Sequence, residues 1–207
     1  MQVNNLVAGG YPLWQLLPDA KTKDIDVFTT QEPVVVLEAM GLTAAQHSNT
    51  VAKSTDEVEV IRFVPPSGQS LLEAVLSSFD FGIIQCGYDP VADKQYVTDL
   101  WVEHASEGLI ELDPRVDPWR NPVRTQVRAS KLLKKLGWQL GPLLTAFIRE
   151  RARQDFAITK PEEAEVFQVQ PESRPVFEFD NPDVLRGFIQ HTYGPRHILE
   201  VAYGTSR

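Results

Sequence analysis

The sequence predicts an α/β protein of the α+β kind, with a mixed sheet flanked by helices and then a helical and irregular C-terminal part. Three observations carry that reading. Leu6-Val7-Ala8 breaks at the paired glycines Gly9-Gly10 and resumes as a helical run. Asp24-Ile25-Asp26-Val27-Phe28 alternates polar and apolar as a strand does. Phe79 to Cys86 is mostly apolar and holds one acid, Asp80.

The elements follow in order. Leu6 to Ala8 reads as a strand. After the glycine turn, Pro12 suits a first helical position ahead of Leu13-Trp14-Gln15-Leu16-Leu17. Pro18 to Lys23 is a polar connection, and Asp24 to Phe28 is the next strand. Val34 to Met40 reads as a helix stopped by Gly41. Asn49 to Ala52 and Glu57 to Val64 read as strands, the second from its alternation of Val58 and Val60 with Glu57 and Glu59. Pro65-Pro66-Ser67-Gly68 is a loop before a short helix, Leu71 to Leu76, and Phe79 to Cys86 is the strand that follows. Val97 to Ser106 is expected to be helical and Gly108 to Leu112 a short strand. Arg124 to Leu136, capped by Gly137, and Pro142 to about Arg153 complete the helices of the middle region. Beyond an acidic stretch, Pro161 to Glu165, Val176 to Phe179 reads as a strand. Asn181-Pro182 reads as the cap of a helix reaching about Gln190. The division expected is a domain over residues 1–113 and a C-terminal region, 114–207, packed on it.

With 207 residues, 43% hydrophobic and 23% charged, the chain has enough apolar surface for a real core. Cys86 is the only cysteine, which excludes an intrachain disulfide and a cysteine-based zinc site and suits a reducing, cytoplasmic setting. No apolar run approaches the roughly 20 residues that span a bilayer, so no membrane partner is expected. The net charge of −8 is uneven: Pro114 to Arg153 carries +8 and the rest −16. Such asymmetry can hold a polyphosphate or a nucleic-acid end, although a solvated helix face accounts for it too.

The acids carry the chemistry. Asp24 and Asp26 project from one face of a strand, and two adjacent carboxylates repel unless a proton or a metal lies between them. Hard oxygen ligands favour Mg²⁺ or Mn²⁺, which points to phosphate chemistry. Asp80, in an apolar strand, needs a partner, and a shared metal supplies one. Taken singly, Gly9-Gly10 is also an ordinary turn, and the Asp pair is also a solvated edge strand. Lys21 and Lys23 suit phosphate and a solvated loop equally. His47, His104, His191 and His197 lack metal-ligand spacing. Neither a Gly-x-x-x-x-Gly-Lys-Ser/Thr loop nor a Gly-x-Ser-x-Gly elbow is present, and Cys86 reads as a packing residue.

Taken together, Gly9-Gly10, a helix, the Asp24/Asp26 strand and the later Asp80 resemble the polymerase-β-like nucleotidyltransferase superfamily, over roughly residues 6 to 90. Thirteen residues, Tyr11 to Lys23, separate the glycines from Asp24, near the long end of the superfamily's spacing. The resemblance implies that Gly9 and Gly10 let the backbone approach a triphosphate. It also implies that Asp24, Asp26 and Asp80 are catalytic residues ligating Mg²⁺ or Mn²⁺; Lys23, just before the acids, is a candidate nucleotide contact by its position. Val116-Asp117-Pro118-Trp119-Arg120, then Arg124, Arg128 and Leu136-Gly137-Trp138, look like the Asp-Pro-x-Arg helix entry of the poly(A) polymerase and CCA-adding branch. That likeness makes Asp117 and Arg120 candidate nucleotide contacts, and Arg124 and Arg128 candidate phosphate or acceptor contacts. Asn121-Pro122 interrupts the branch's arginine spacing, and the chain is too short for its full set of helical domains, so a minimal or phage-type member fits better.

The expected activity is metal-dependent transfer of a nucleoside monophosphate from an NTP, such as ATP, to an acceptor hydroxyl, with an RNA end the favoured acceptor. The alternatives are an inactive nucleotidyltransferase-fold protein that serves as a nucleotide-binding or protein-interaction module, and an acid-rich surface for a basic partner.

Overall fold

The computed structural model describes residues 4–17, 20–55, 57–153, 167–180 and 183–185. Its centre is a mixed sheet, as the sequence predicts. The strands are β1 (Asn5–Ala8), β2 (Ile25–Thr29), β3 (Ala44–His47), β4 (Val51–Ser54), β5 (Val58–Arg62), β6 (Cys86–Asp89), β7 (Lys94–Thr98) and β10 (Val176–Phe179), ordered β10-β7-β6-β1-β2-β5-β4-β3. Only β2 and β5 run parallel within this sheet, joined through α2 (Pro33–Ala39) and the β3–β4 hairpin. A parallel pair needs such a crossover. A second, two-stranded sheet pairs β8 (Leu109–Ile110) with β9 (Gln139–Leu140).

Both faces of the sheet are buried. Val7, Val27 and Val60 pack with Val36 and Leu37 of α2 in a small cluster, while Leu6, Ala8 and Phe28 belong to the larger one. Helices α1 (Gly10–Leu16), α3 (Leu71–Ser77), α4 (Asp99–Glu107), α5 (Pro122–Leu136) and α6 (Pro142–Arg153) contribute to that larger core. Because strand side chains alternate, Asp26 shares the face of Phe28, the side on which α5 lies, while Asp24 stands exposed just ahead of the strand.

Local chemistry sets the helix ends. Ser70 and Glu73 form a reciprocal capping box on α3, Thr98 accepts the Trp101 N–H at the start of α4, and Asn121 accepts the Arg124 N–H at the start of α5. The buried Glu111 carboxylate reaches across to accept the Leu143 and Leu144 amides at 2.8 and 2.7 Å, capping α6 from outside the helix. Gly141 must be glycine there, since a Cβ would run into that carboxylate.

Several boundaries differ from the sequence reading. β2 begins at Ile25, so Asp24 stands just before it, and the strand expected over Asn49 to Ala52 runs from Val51 to Ser54. Phe79 to Cys86 is no continuous strand: Phe81 makes one bridge to Leu112, Gly82–Ile84 is a 3₁₀ turn, and β6 starts at Cys86. The turn lets Gly82 lie against His104 and Leu100 where a side chain would collide, and Gln85 reach inward. Lys94 to Thr98 is a strand that the sequence reading missed, and α4 starts at Asp99 because Thr98 caps it. The proposed helix over 181–190 and the acidic stretch 161–165 lie largely or wholly outside the described residues. Among the described residues no helix is long and apolar enough to cross a membrane.

Candidate active site

β1 ends at Ala8, and the next residue, Gly9, has a φ of +82° and a ψ of −119° that suit glycine alone, so the chain turns there into α1. Gly9 and Gly10 line a cavity of about 240 Å³ together with Thr22, Asp24 and Asp26, while Arg128, Lys131 and Lys135 of α5 close the opposite side. The ring of Phe79 forms part of its wall and is fixed by edge contacts with Phe28 and Phe167.

One side of this cavity is acidic. The parallel register sets Asp26 beside Glu59 of β5, and Glu59 in turn pairs with Lys53 at 2.9 Å. Burial, then Glu59, then Asp24 push the Asp26 carboxyl up to about 6. Three like charges close together in a partly dry site explain the direction. A divalent cation bound between the Asp24 and Asp26 oxygens would relieve this repulsion, so the donor set suits the hard metal that the sequence reading expects.

The other side is cationic. Arg124, Arg128, Lys131 and Lys135 recur at the spacing of one helical face. Burial and the neighbouring Arg128 draw Arg124 below its usual range, while Asp80, Asp26 and Glu59 oppose that shift. Lys135 is lowered by burial and by Lys131, with Asp24 opposing. A polyphosphate entering the cavity would meet carboxylates and any cation they hold on one side, and these bases on the other.

The predicted residues divide accordingly. Gly9, Gly10, Asp24, Asp26 and Arg128 meet in one cavity, and Arg124 lies within reach of its field. Asp80 does not join the other two acids: Arg128 forms an ion pair with it, and no set of three His, Cys, Asp or Glu side chains is gathered for a metal among the described residues. Lys23 is exposed beside Asp24 and does not line the cavity. Asp117 and Arg120 lie in the loop before α5, outside the lining, where the Asp117 carboxylate accepts the Trp119 N–H at 2.9 Å. Sequence reasoning missed Glu59, Lys131 and Lys135 as site residues. The lysines continue the periodicity of Arg124 and Arg128, so that signal was legible; Glu59 needs the β2–β5 pairing. Cys86 is buried under Gly9, and burial pushes its thiol far up, which leaves it a packing residue.

No family model and no curated protein matches the chain. Solved structures do match, and they define the fold as that of nucleotidyltransferases. Among them is a tRNA-processing enzyme with CTP, at a TM-score of 0.57 and 14% identity, covering 72% of this chain and 43% of that one. A tRNA nucleotidyltransferase complexed with a primer tRNA and an incoming ATP analog matches at 0.55 and 13%, covering 72% and 46%. A CCA-adding enzyme with CTP matches at 0.54 and 15%, covering 72% and 38%. The likeness is one of fold, and this chain spans less than half the length of each. At that level it agrees with the nucleotidyltransferase-like fold that the sequence resemblance implies.

Proposed function

We propose that the protein is a metal-dependent nucleotidyltransferase that moves a nucleoside monophosphate from an NTP to an acceptor hydroxyl, with an RNA end the favoured acceptor. The observation that carries this is the cavity over Gly9-Gly10, bounded by the Asp24/Asp26 pair on one side and by the α5 cations on the other. Asp24 and Asp26 would hold Mg²⁺ or Mn²⁺, which when bound would neutralise charge on the phosphates.

The chain's own residues then do the placing. Gly9 and Gly10 keep that wall free of side chains, so the triphosphate can lie close to the backbone. Arg128, Lys131 and Lys135 neutralise the β- and γ-phosphates. The acceptor oxygen bonds to the α-phosphorus as the bond to the β-phosphate bridging oxygen breaks. Pyrophosphate leaves with the electron pair, its charge met by the α5 cations, and the hydroxyl proton passes to water. Holding the reactants in line and stabilising charge account for the catalysis. RNA is favoured because structural neighbours are solved with tRNA and because Pro114 to Arg153 carries +8.

The Asp80–Arg128 pair favours a second reading, a nucleotide-binding module without turnover, since it withdraws the third acid from the pair. Incubation with each labelled NTP, Mg²⁺ or Mn²⁺ and total RNA separates the two. Label passed to RNA by the wild type and lost in Asp24→Asn and Asp26→Asn supports the transferase. Binding of NTP with no transfer from any nucleotide supports the module.

A further inference from the structure

Asp80 is a carboxylate with no place in the acid pair, and its backbone is fastened on both sides. The Asp113 N–H donates to the Asp80 carbonyl at 2.9 Å, Phe81 bridges Leu112, and the Phe79 carbonyl accepts the Gln85 side-chain amide at 3.1 Å. Asp113 is itself fixed, since its carboxylate receives Arg115, Arg174 and the same Gln85 amide. The Asp80 side chain, 12% exposed, therefore projects from an ordered stretch of chain.

What it meets is Arg128, whose Nη1 donates to Asp80 Oδ1. Among the described residues Arg128 donates to no other side chain, and it lines the cavity across from Gly9 and Gly10. A guanidinium carries five N–H donors in a planar fork, so one bond to Asp80 leaves donors for phosphate oxygens. Left to itself this long side chain would spread over many rotamers, and repulsion from Arg124, one helical turn away, would favour those that carry it off. Asp80 counters both effects. Its backbone is set by the Phe81–Leu112 bridge, and its charge opposes the influence of Arg128 on Arg124.

We propose that Asp80 is a positioning residue, which holds the Arg128 guanidinium preorganised for the β- and γ-phosphates and does not ligate the metal. The inference rests on the nucleotide cavity of the proposed function, and it applies to a transferase and to a binding module alike. Its benefit is one of timing: the entropy of ordering Arg128 is lost when the chain folds, not when the triphosphate binds, and affinity rises accordingly.

The test is binding of inorganic tripolyphosphate with Mg²⁺, by calorimetry, beside binding of Mn²⁺ alone, by its paramagnetic resonance signal. Asp80→Asn weakens tripolyphosphate about tenfold, and Asp80→Glu, which keeps the charge, retains more of the affinity. Arg128→Ala weakens it at least as much. Adding Asp80→Asn to Arg128→Ala costs nothing further, because the carboxylate acts through the guanidinium. Mn²⁺ affinity stays within about twofold of wild type in both Asp80 variants, whereas a general distortion of the cavity lowers both affinities. If Asp80→Asn does not fold, Asp80→Glu with Arg128→Ala closes the same cycle. Unchanged tripolyphosphate affinity in Asp80→Asn overturns the proposal, as does a further loss in the double variant. A fall of about tenfold in Mn²⁺ affinity makes Asp80 a metal ligand and overturns it too. Nucleotidyl transfer by the wild type, with Asp80→Asn binding normally, keeps the transferase reading and removes this one; the expected cycle without transfer does the reverse. A wild type that binds no tripolyphosphate removes both.

Discussion

Asp26 and Asp113 are both withdrawn from water, and the protein treats them in opposite ways. Asp113, with its side chain fully buried, receives Arg115 and Arg174, each through two nitrogens, and the Gln85 amide at 2.8 Å. Burial by itself pushes Asp113 up, but these partners together hold it well below the usual carboxylate range. Asp26 meets Glu59 and Asp24 instead, and its carboxyl rises to about 6. A satisfied buried charge organises structure: Arg174 also donates to Asp99 and ties the segment before β10 to the head of α4. A crowded buried charge destabilises the fold as it stands, and on the proposed reading a bound cation would relieve it.

Breaking the unsatisfied group should cost function and gain stability; breaking the satisfied one should cost stability. The largest effect is expected on transfer: Asp24→Asn or Asp26→Asn lowers labelled-NTP turnover a thousandfold or more, about 4 kcal/mol at the transition state. A variant that keeps a tenth of wild-type turnover would end the comparison. Next, Asp113→Ala leaves two guanidiniums facing a dry site and should lose about 3–5 kcal/mol in urea unfolding.

The pH responses have opposite signs. Asp26 is raised in the fold, so its unfavourable contribution is full above about pH 6 and gone below its unfolded value of 3.8. In metal-free buffer Asp26→Asn should therefore stabilise the protein at pH 8 by on the order of 2 kcal/mol, with the gain vanishing at pH 4. Asp113 is lowered, so its contribution is full above the same unfolded value and fades as acid protonates it. Thermal melts of Asp26→Asn and Asp113→Ala from pH 3.5 to 8 should diverge from wild type in opposite directions at high pH. Mg²⁺ should raise the wild-type melting temperature at pH 8 and leave that of Asp26→Asn nearly unmoved. The smallest expected effect is at the Asp117 loop, where Gln168→Ala removes two hydrogen bonds to the Asp117 backbone and costs about 1 kcal/mol.

Much of the site was legible because it is local. Gly9-Gly10 announces a turn, Asp24-Ile25-Asp26 a shared strand face, and Arg124 with Arg128 a helical face. In the sequence Glu59 is only the polar half of a strand, since nothing in residues 57–60 names the neighbour they pair with. An acid between two phenylalanines demands a partner, and the sequence suggests a shared metal for Asp80; the structure supplies Arg128, 48 residues away. The strand expected through Phe79 to Cys86 failed for a related reason. Four buried residues in a row, Phe81 to Ile84, have no period, and the contacts with His104 and Leu100 decide the turn.

The sequence by itself determined the mixed α/β class, the glycine turn, the acid pair and the basic face of α5, because backbone propensity and side-chain period are properties of adjacent residues. Only the tertiary structure decided that β2 pairs with β5, so that Glu59 crowds Asp26, and that α5 lies across the acids, so that Arg128 takes Asp80. Charges far apart in the chain interact through the space that the core packing leaves between them, and that space is set by the whole fold at once.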